Sequence, residues 1–161
     1  MAIQVGDRIP EGKFRVMTAE GPGWQSTDAV FKGKKVVLFA VPGAFTPTCH
    51  KNHLPGFLQH ADAIKAKGVD TIAVTSVNDV FVMAEWQKAS GADGKIEFLA
   101  DGNADFVKAL DLTMDGSAGG LGLRSQRYAM LVEDGVVKQL NIEDAPGKAE
   151  TSSAETLLKQ L

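Results

Sequence analysis

Residues 41–53 read VPGAFTPTCHKNH and hold the only cysteine of the chain, Cys49, among Pro42, Thr46, Pro47, Thr48, His50 and His53. A continuous apolar run, KKVVLFAV at 34–41, leads into this stretch, and a helical pattern begins soon after Thr46. A thiol in the first turn of a helix faces backbone N–H groups without intrahelical partners, at the positive end of the helix dipole. Both favour the thiolate, which is the nucleophilic form. Thr46, three residues ahead, is placed to cap the helix and to exchange a hydrogen bond with the sulfur. Pro47 suits the first helical position, where a missing N–H costs nothing, and Pro42 shields the thiol on the strand side. A lone cysteine is also a common packed core residue, so the local pattern leaves an activated nucleophile and an inert thiol both open.

Other chemistries fit these residues less well. Cys49, His50 and His53 suggest a metal site, since Cys49 and His53 share a helix face, but a zinc site wants three or four protein ligands, and the only other imidazole, His60, lies seven residues further on that face. A Cys–His hydrolase needs a base oriented by a third group, and no nucleophile-elbow pattern accompanies the histidines. GSAGGLGLR at 116–124 follows a helix and leads into a strand, the reverse of a dinucleotide-binding loop. Its glycines let the loop turn tightly and present Arg124.

The elements around Cys49 can be read from periodicity. The run at 34–41 has the character of a strand buried on both faces. Leu54, Phe57, Leu58, Ala61 and Ile64 form one apolar stripe of the following helix, which stops at Gly68, with Pro55 as a kink or restart. Residues 14–19 alternate like a strand, and GPGWQST after them reads as a turn. VDTIAVTSV (69–77) is the next strand, Asn78 and Asp79 cap the helix VFVMAEWQKAS, IEFLA (96–100) is a short strand, and DGNADFVKALDL supplies another capped helix. YAMLVEDGVVKQLNI reads as a hairpin turning at Asp134 and Gly135 in a type I′ turn, and a helix over 152–161 closes the chain. Phe45, Phe81, Met83, Trp86 and Met114 are core candidates, a subset of which can line an apolar collar or a subunit contact. The β/α alternation followed by a hairpin and a helix predicts an α/β fold of thioredoxin-like type, a central mixed sheet flanked by helices with an N-terminal extension, as a single domain over 1–161.

The chain has 161 residues, 44% hydrophobic and 23% charged. That length is enough for a sizeable core without staples. No window approaches the roughly 18 unbroken apolar residues of a membrane span, and the first residues lack the pattern of a secretory signal. A net charge of −3 argues against nucleic acid as the main partner. One cysteine excludes an internal disulfide and a CxxC pair, and the expected setting is a reducing cytoplasm.

Pro42-Gly-Ala-Phe-Thr46-Pro-Thr-Cys49 matches the P-x-x-x-T-x-x-C signature of the peroxiredoxins, and PGAFTPTCHKNHLPGF, SVNDVFVMAEW and GLGLRSQRYAMLVEDGVVKQLNIE resemble its type II, peroxiredoxin-5-like branch. The resemblance covers nearly the whole chain. It implies that Cys49 attacks hydrogen peroxide or an alkyl hydroperoxide and becomes a sulfenic acid, that Thr46 hydrogen-bonds thiolate and peroxide, and that Pro42 shields the site. It implies that Arg124 is the active-site arginine, with Arg127 as the nearby alternative that spacing alone does not separate. It implies no metal or organic cofactor, and a homodimer formed beside the active site. Relatives carry a second, resolving cysteine near the C-terminus, matched here by Thr151, or in the strand before SVND, where this chain has Val74 and Thr75. Without that thiol the sulfenic acid needs an external one: glutathione with or without glutaredoxin first, thioredoxin second. The non-enzyme alternative is a thioredoxin-like redox-sensing or holdase module, which would have no need of Arg124 with Thr46 as peroxide-polarising groups.

Overall fold

A strand buried on both faces must present apolar side chains in both directions, and residues 35–40 do so. In the computed structural model, which describes residues 2–145 and 147–161, they form β3 (Lys35–Ala40) of a seven-stranded sheet. The other strands are β1 (Lys13–Thr18), β2 (Gly21–Ser26), β4 (Thr71–Ser76), β5 (Glu97–Ala100), β8 (Tyr128–Glu133) and β9 (Val136–Ile142). Their order is β2-β1-β5-β4-β3-β8-β9. β3, β4 and β5 run parallel to one another, while β8 is antiparallel to β3. Val37 and Phe39 enter one hydrophobic core, and Val36, Leu38 and Ala40 enter the other.

Helices cover both faces. The first core receives Leu54 and Phe57 of α2 (Leu54–Gln59), Ala61 and Ile64 of α3 (Ala61–Ala66), Met83 and Trp86 of α4 (Val80–Ser90), and Leu157 of α6 (Ala154–Lys159). The second receives Phe31 of α1 (Thr27–Phe31) and Phe106 and Leu110 of α5 (Asp105–Leu110). This is the mixed sheet flanked by helices that the sequence predicts, with β1 and β2 as the N-terminal addition. Cys49 belongs to the first core, over the C-terminal end of β3.

Several local expectations need correcting. GPGWQS is not a turn: it is the edge strand β2, paired antiparallel with β1 so that Trp24 opposes Arg15. Pro22 is tolerated there because an edge strand does not need every N–H. The apolar helix after β3 is divided, with a break at His60 between α2 and α3. Asp79 caps α4 by accepting the Val82 N–H at 2.9 Å, whereas Asn78 has another task described below. α5 is capped from a distance: the Asp101 carboxylate accepts the N–H groups of Phe106 and Val107, both at 3.0 Å. Asp134 and Gly135 both have positive φ, 48° and 79°. A type I′ turn requires this of both its central residues.

Two features lie outside those expectations. Residues 113–125 form a separate two-stranded ribbon, β6 (Thr113–Asp115) with β7 (Leu123–Ser125), joined through a 3₁₀ turn and a glycine-rich loop. The N-terminal segment also bonds along the outer end of β9, with Gly6 N–H donating to the Val137 carbonyl and the Val137 N–H to the Asp7 carbonyl.

Candidate active site

The helix after β3 starts directly behind Thr46, whose carbonyl accepts the His50 N–H at 2.8 Å. Pro47 takes its first position, where no N–H is needed. Cys49–His53 then run as a π-helical turn, with the Leu54 N–H reaching back to the Cys49 carbonyl. In a regular α-helix the ring of Pro55 would crowd the Lys51 carbonyl. The wider turn just ahead of Pro55 relieves that clash, and such turns recur at functional sites.

Cys49 is fully buried, and the guanidinium of Arg127 is buried beside it. Arg127 Nη2 donates to Cys49 Sγ at 3.0 Å, and Nη1 pairs with His53 Nδ1 at 3.0 Å. A guanidinium has donors only, so Nδ1 is the acceptor and carries no proton. The ring proton therefore sits on Nε2, which donates to the Ser152 carbonyl at 2.9 Å. Both partners demand the same neutral tautomer. Burial lowers the His53 pKa to about 3; the Ser152 carbonyl opposes the shift, the Arg127 charge adds to it and Glu143 opposes it. The stacked rings of Phe39 and Phe57, 4.0 Å apart, both lie tilted against His53 and supply the apolar surroundings.

Ser152 is fixed in turn. The Glu143 carboxylate accepts the N–H groups of Glu150, Thr151 and Ser152 at 3.2, 3.2 and 2.8 Å and the Ser152 hydroxyl at 2.6 Å. Burial pushes the Glu143 carboxyl up, but these bonds outweigh it and hold it below the usual carboxylate range. A continuous chain of contacts thus runs from Glu143 through Ser152, His53 and Arg127 to the sulfur.

Arg127, and not Arg124, is therefore the arginine on the thiol. Arg127 stands one residue ahead of β8, in step with Ala129 and Leu131, which enter the core that contains Cys49. Arg124 lies on β7, opposite Met114, and donates from Nε to the Leu121 carbonyl at 3.0 Å and from Nη1 to the Pro42 carbonyl at 3.2 Å. The Thr46 hydroxyl donates to the Gly43 carbonyl at 2.7 Å, closing a turn instead of capping the helix, and its oxygen keeps acceptor capacity. Pro42, Thr46, Pro47, Met114, Leu121 and Arg127 line a cavity of about 380 Å³ over this cluster.

Other residues support the loop. Asn78 Oδ1 accepts the Ala44 N–H at 2.9 Å, tying the active-site loop to the end of β4. Phe45 is held at φ 64°, a strained conformation for a bulky residue. Its ring lies 5.6 Å from that of His50. His50 Nδ1 accepts the Trp86 indole N–H at 3.1 Å. Met83 and Trp86 are buried core as expected, whereas Phe45 and Phe81 are exposed. Among the described residues, no group of three or more His, Cys, Asp and Glu is placed to hold a metal ion. Nor does any helix there have the length and apolarity to cross a membrane.

A buried thiol at a strand–helix junction, with an arginine on its sulfur and a mixed sheet beneath, defines a thiol-based redox protein of thioredoxin-like fold. The Redoxin family model matches residues 4–158. The chain is 50% identical over 164 residues to chloroplastic Peroxiredoxin-2E-2 of Oryza sativa subsp. japonica, covering 99% of this chain and 72% of that protein. Reduced Prx3 of Vibrio vulnificus, solved in complex with H2O2, superposes with a TM-score of 0.93 at 54% identity over 98% of each chain. Peroxiredoxin 5 of Alvinella pompejana superposes with a TM-score of 0.85 at 36% identity, covering 98% of this chain and 96% of that one. The chain belongs to the Redoxin family and, within it, to the peroxiredoxins, whose activity is that of a peroxidase.

Proposed function

We propose that the protein reduces hydrogen peroxide and alkyl hydroperoxides at Cys49 and is regenerated by an external thiol, with no metal or organic cofactor. The observation that carries this reading is the 3.0 Å contact of Arg127, which lines an open cavity, with the buried sulfur of the chain's single cysteine. The guanidinium favours the thiolate and meets the negative charge that develops on the departing oxygen. Thr46 and the first-turn N–H groups orient the peroxide, which is catalysis by positioning.

The thiolate attacks the distal peroxide oxygen. An S–O bond forms, the O–O bond breaks, and the alkoxide or hydroxide takes a proton and leaves as alcohol or water. The sulfur, oxidised by two electrons, is then a sulfenic acid. An incoming thiol forms an S–S bond with it and releases water, and a second thiol exchanges to restore Cys49. The chain supplies no second thiol of its own for this step. Glutathione, with or without glutaredoxin, is the donor this reading favours in a reducing cytoplasm; thioredoxin acting directly is the alternative. Two copies pair beside the cavity, a reading supported by Phe45, Leu121 and Leu123, which are 44%, 38% and 43% exposed there.

The test is intact mass after one equivalent of hydrogen peroxide, with Cys49→Ser as control. Gain of one oxygen at Cys49, followed by a mixed disulfide on adding glutathione, is expected. A thiol left unmodified by peroxide sinks the peroxidase reading, and a sulfenic acid reduced by thioredoxin but not by glutathione or glutaredoxin reassigns the donor. Leu123→Glu should shift sedimentation to the monomer, and wild-type protein that already sediments as a monomer overturns the dimer.

A further inference from the structure

Arg124 bridges two segments that are far apart in the chain. Its Nε holds the Leu121 carbonyl in the loop of the β6–β7 ribbon, and its Nη1 holds the Pro42 carbonyl at the start of the active-site loop. Gly43 leaves the room for this: a Cβ there would lie 2.8 Å from Nη1 and 3.0 Å from Thr46 Cγ2. The ribbon belongs to no larger sheet, and a two-stranded ribbon is marginal alone. Its loop contains Gly116, Gly119, Gly120 and Gly122, which raise the entropy cost of holding one shape.

The two segments are the two walls of the cavity. Met114, Ala118 and Leu121 face it from the ribbon, and Pro42, Thr46 and Pro47 from the active-site loop. Asp115 lines the same side, and Met114, Ala118 and Leu121 are its apolar part, the surface available to a hydrocarbon substituent on the peroxide. Its distance from the opposite wall is set by the two hydrogen bonds of Arg124.

We propose that Arg124 is a specificity-determining staple that holds the apolar ribbon wall against the active-site loop, shaping the cavity for the hydrocarbon tail of an organic hydroperoxide. The inference rests on the peroxidase reading of Cys49. Hydrogen peroxide has no tail and is insensitive to the position of this wall.

Two variants test it. Arg124→Met keeps the length and removes both donors. Arg124→Lys keeps the charge, but its single nitrogen cannot hold the Leu121 and Pro42 carbonyls as Nε and Nη1 do, and it keeps the test open if Arg124→Met does not fold. Turnover is measured with cumene hydroperoxide and with hydrogen peroxide, using one reductant, alongside the ultraviolet absorbance of the thiolate. For both variants, the KM for cumene hydroperoxide should rise about tenfold, in the range that loss of apolar pocket contacts gives. The kcat/KM for hydrogen peroxide should stay within about twofold, and the thiolate absorbance should not change. Equal losses on both peroxides would show Arg124 acting at the reacting atoms and overturn the proposal, as would unchanged kinetics on both. Failure of the underlying reading looks different: wild-type protein would consume neither peroxide, and both would fall.

Discussion

At the scale of single residues, the site is built on a proton inventory. Arg127 can only donate, so His53 must accept at Nδ1 and donate at Nε2, and the Ser152 carbonyl makes that arrangement self-consistent. The imidazole orients the guanidinium without adding charge, which leaves the positive charge of Arg127 directed at the sulfur. Replacing Arg127 with Met should lower kcat/KM by about two to three orders of magnitude on hydrogen peroxide and organic hydroperoxides alike, as loss of a preorganised charge-stabilising donor does. The thiolate fraction should fall with it, read from alkylation rates against pH. A variant within a few-fold of wild type on both counts would remove Arg127 from the machinery. The motif around Cys49 was legible because helix start, proline and threonine are adjacent in sequence. The choice between Arg124 and Arg127 was not, since both precede the same strand. Only the pairing of β6 with β7 shows that Arg124 stops in a side ribbon, while Arg127 keeps step with Ala129 and Leu131. His53, Ser152 and Glu143 are brought together by the return of the chain from β9 to α6, a contact across some hundred residues that no local pattern records.

At the scale of elements, periodicity located the strands buried on both faces and the helices with clear stripes, and the Asp134–Gly135 turn followed from its dipeptide. GPGWQST misled because glycine and proline mark turns in general, whereas on an edge strand the missing donor carries no penalty. Five-residue α1 and the short ribbon are too brief for periodicity to register. The junction after β4 shows how adjacent polar residues divide labour: Asp79 caps α4, and Asn78 holds the active-site loop. Asp79→Ala should cost about 1 kcal/mol of stability, the usual worth of an N-cap, seen in urea titration. Asn78→Ala deprives the Ala44 N–H of its acceptor. Its signature should be faster hydrogen exchange at that amide, and unchanged exchange would dissolve the link between β4 and the loop.

For the whole molecule, the neutral His53 ties stability to pH. The unfolded chain takes up this proton near the ordinary value of 6.5, while the folded state resists until about 3. Between those values the unfolded state binds more protons, so stability is fully present above about pH 6.5 and drains away as the pH falls, by about 2 kcal/mol at about pH 5. Glu143 acts in the same sense lower down, since its carboxyl is held below its ordinary 4.5. Its contribution is present above that value and lost on acidification through the folded value. Urea midpoints at about pH 7 and about pH 5 should therefore differ for wild type, and the difference should shrink in His53→Asn. Equal midpoints for wild type would mean that His53 is protonated in the folded protein.

The margins of the seven-stranded sheet carry a different message. One margin is β2, where Pro22 lacks a donor and Gly21 and Gly23 weaken the strand. The other is β9, whose outer end is occupied by the N-terminal segment around Gly6 and Asp7. The proline in one rim and the covered end of the other shorten the rows of free amides and carbonyls, the template on which foreign strands add and fibrils grow. A protein whose work is to meet oxidants, and to be partly damaged by them, is thereby built so that its sheet does not recruit neighbours.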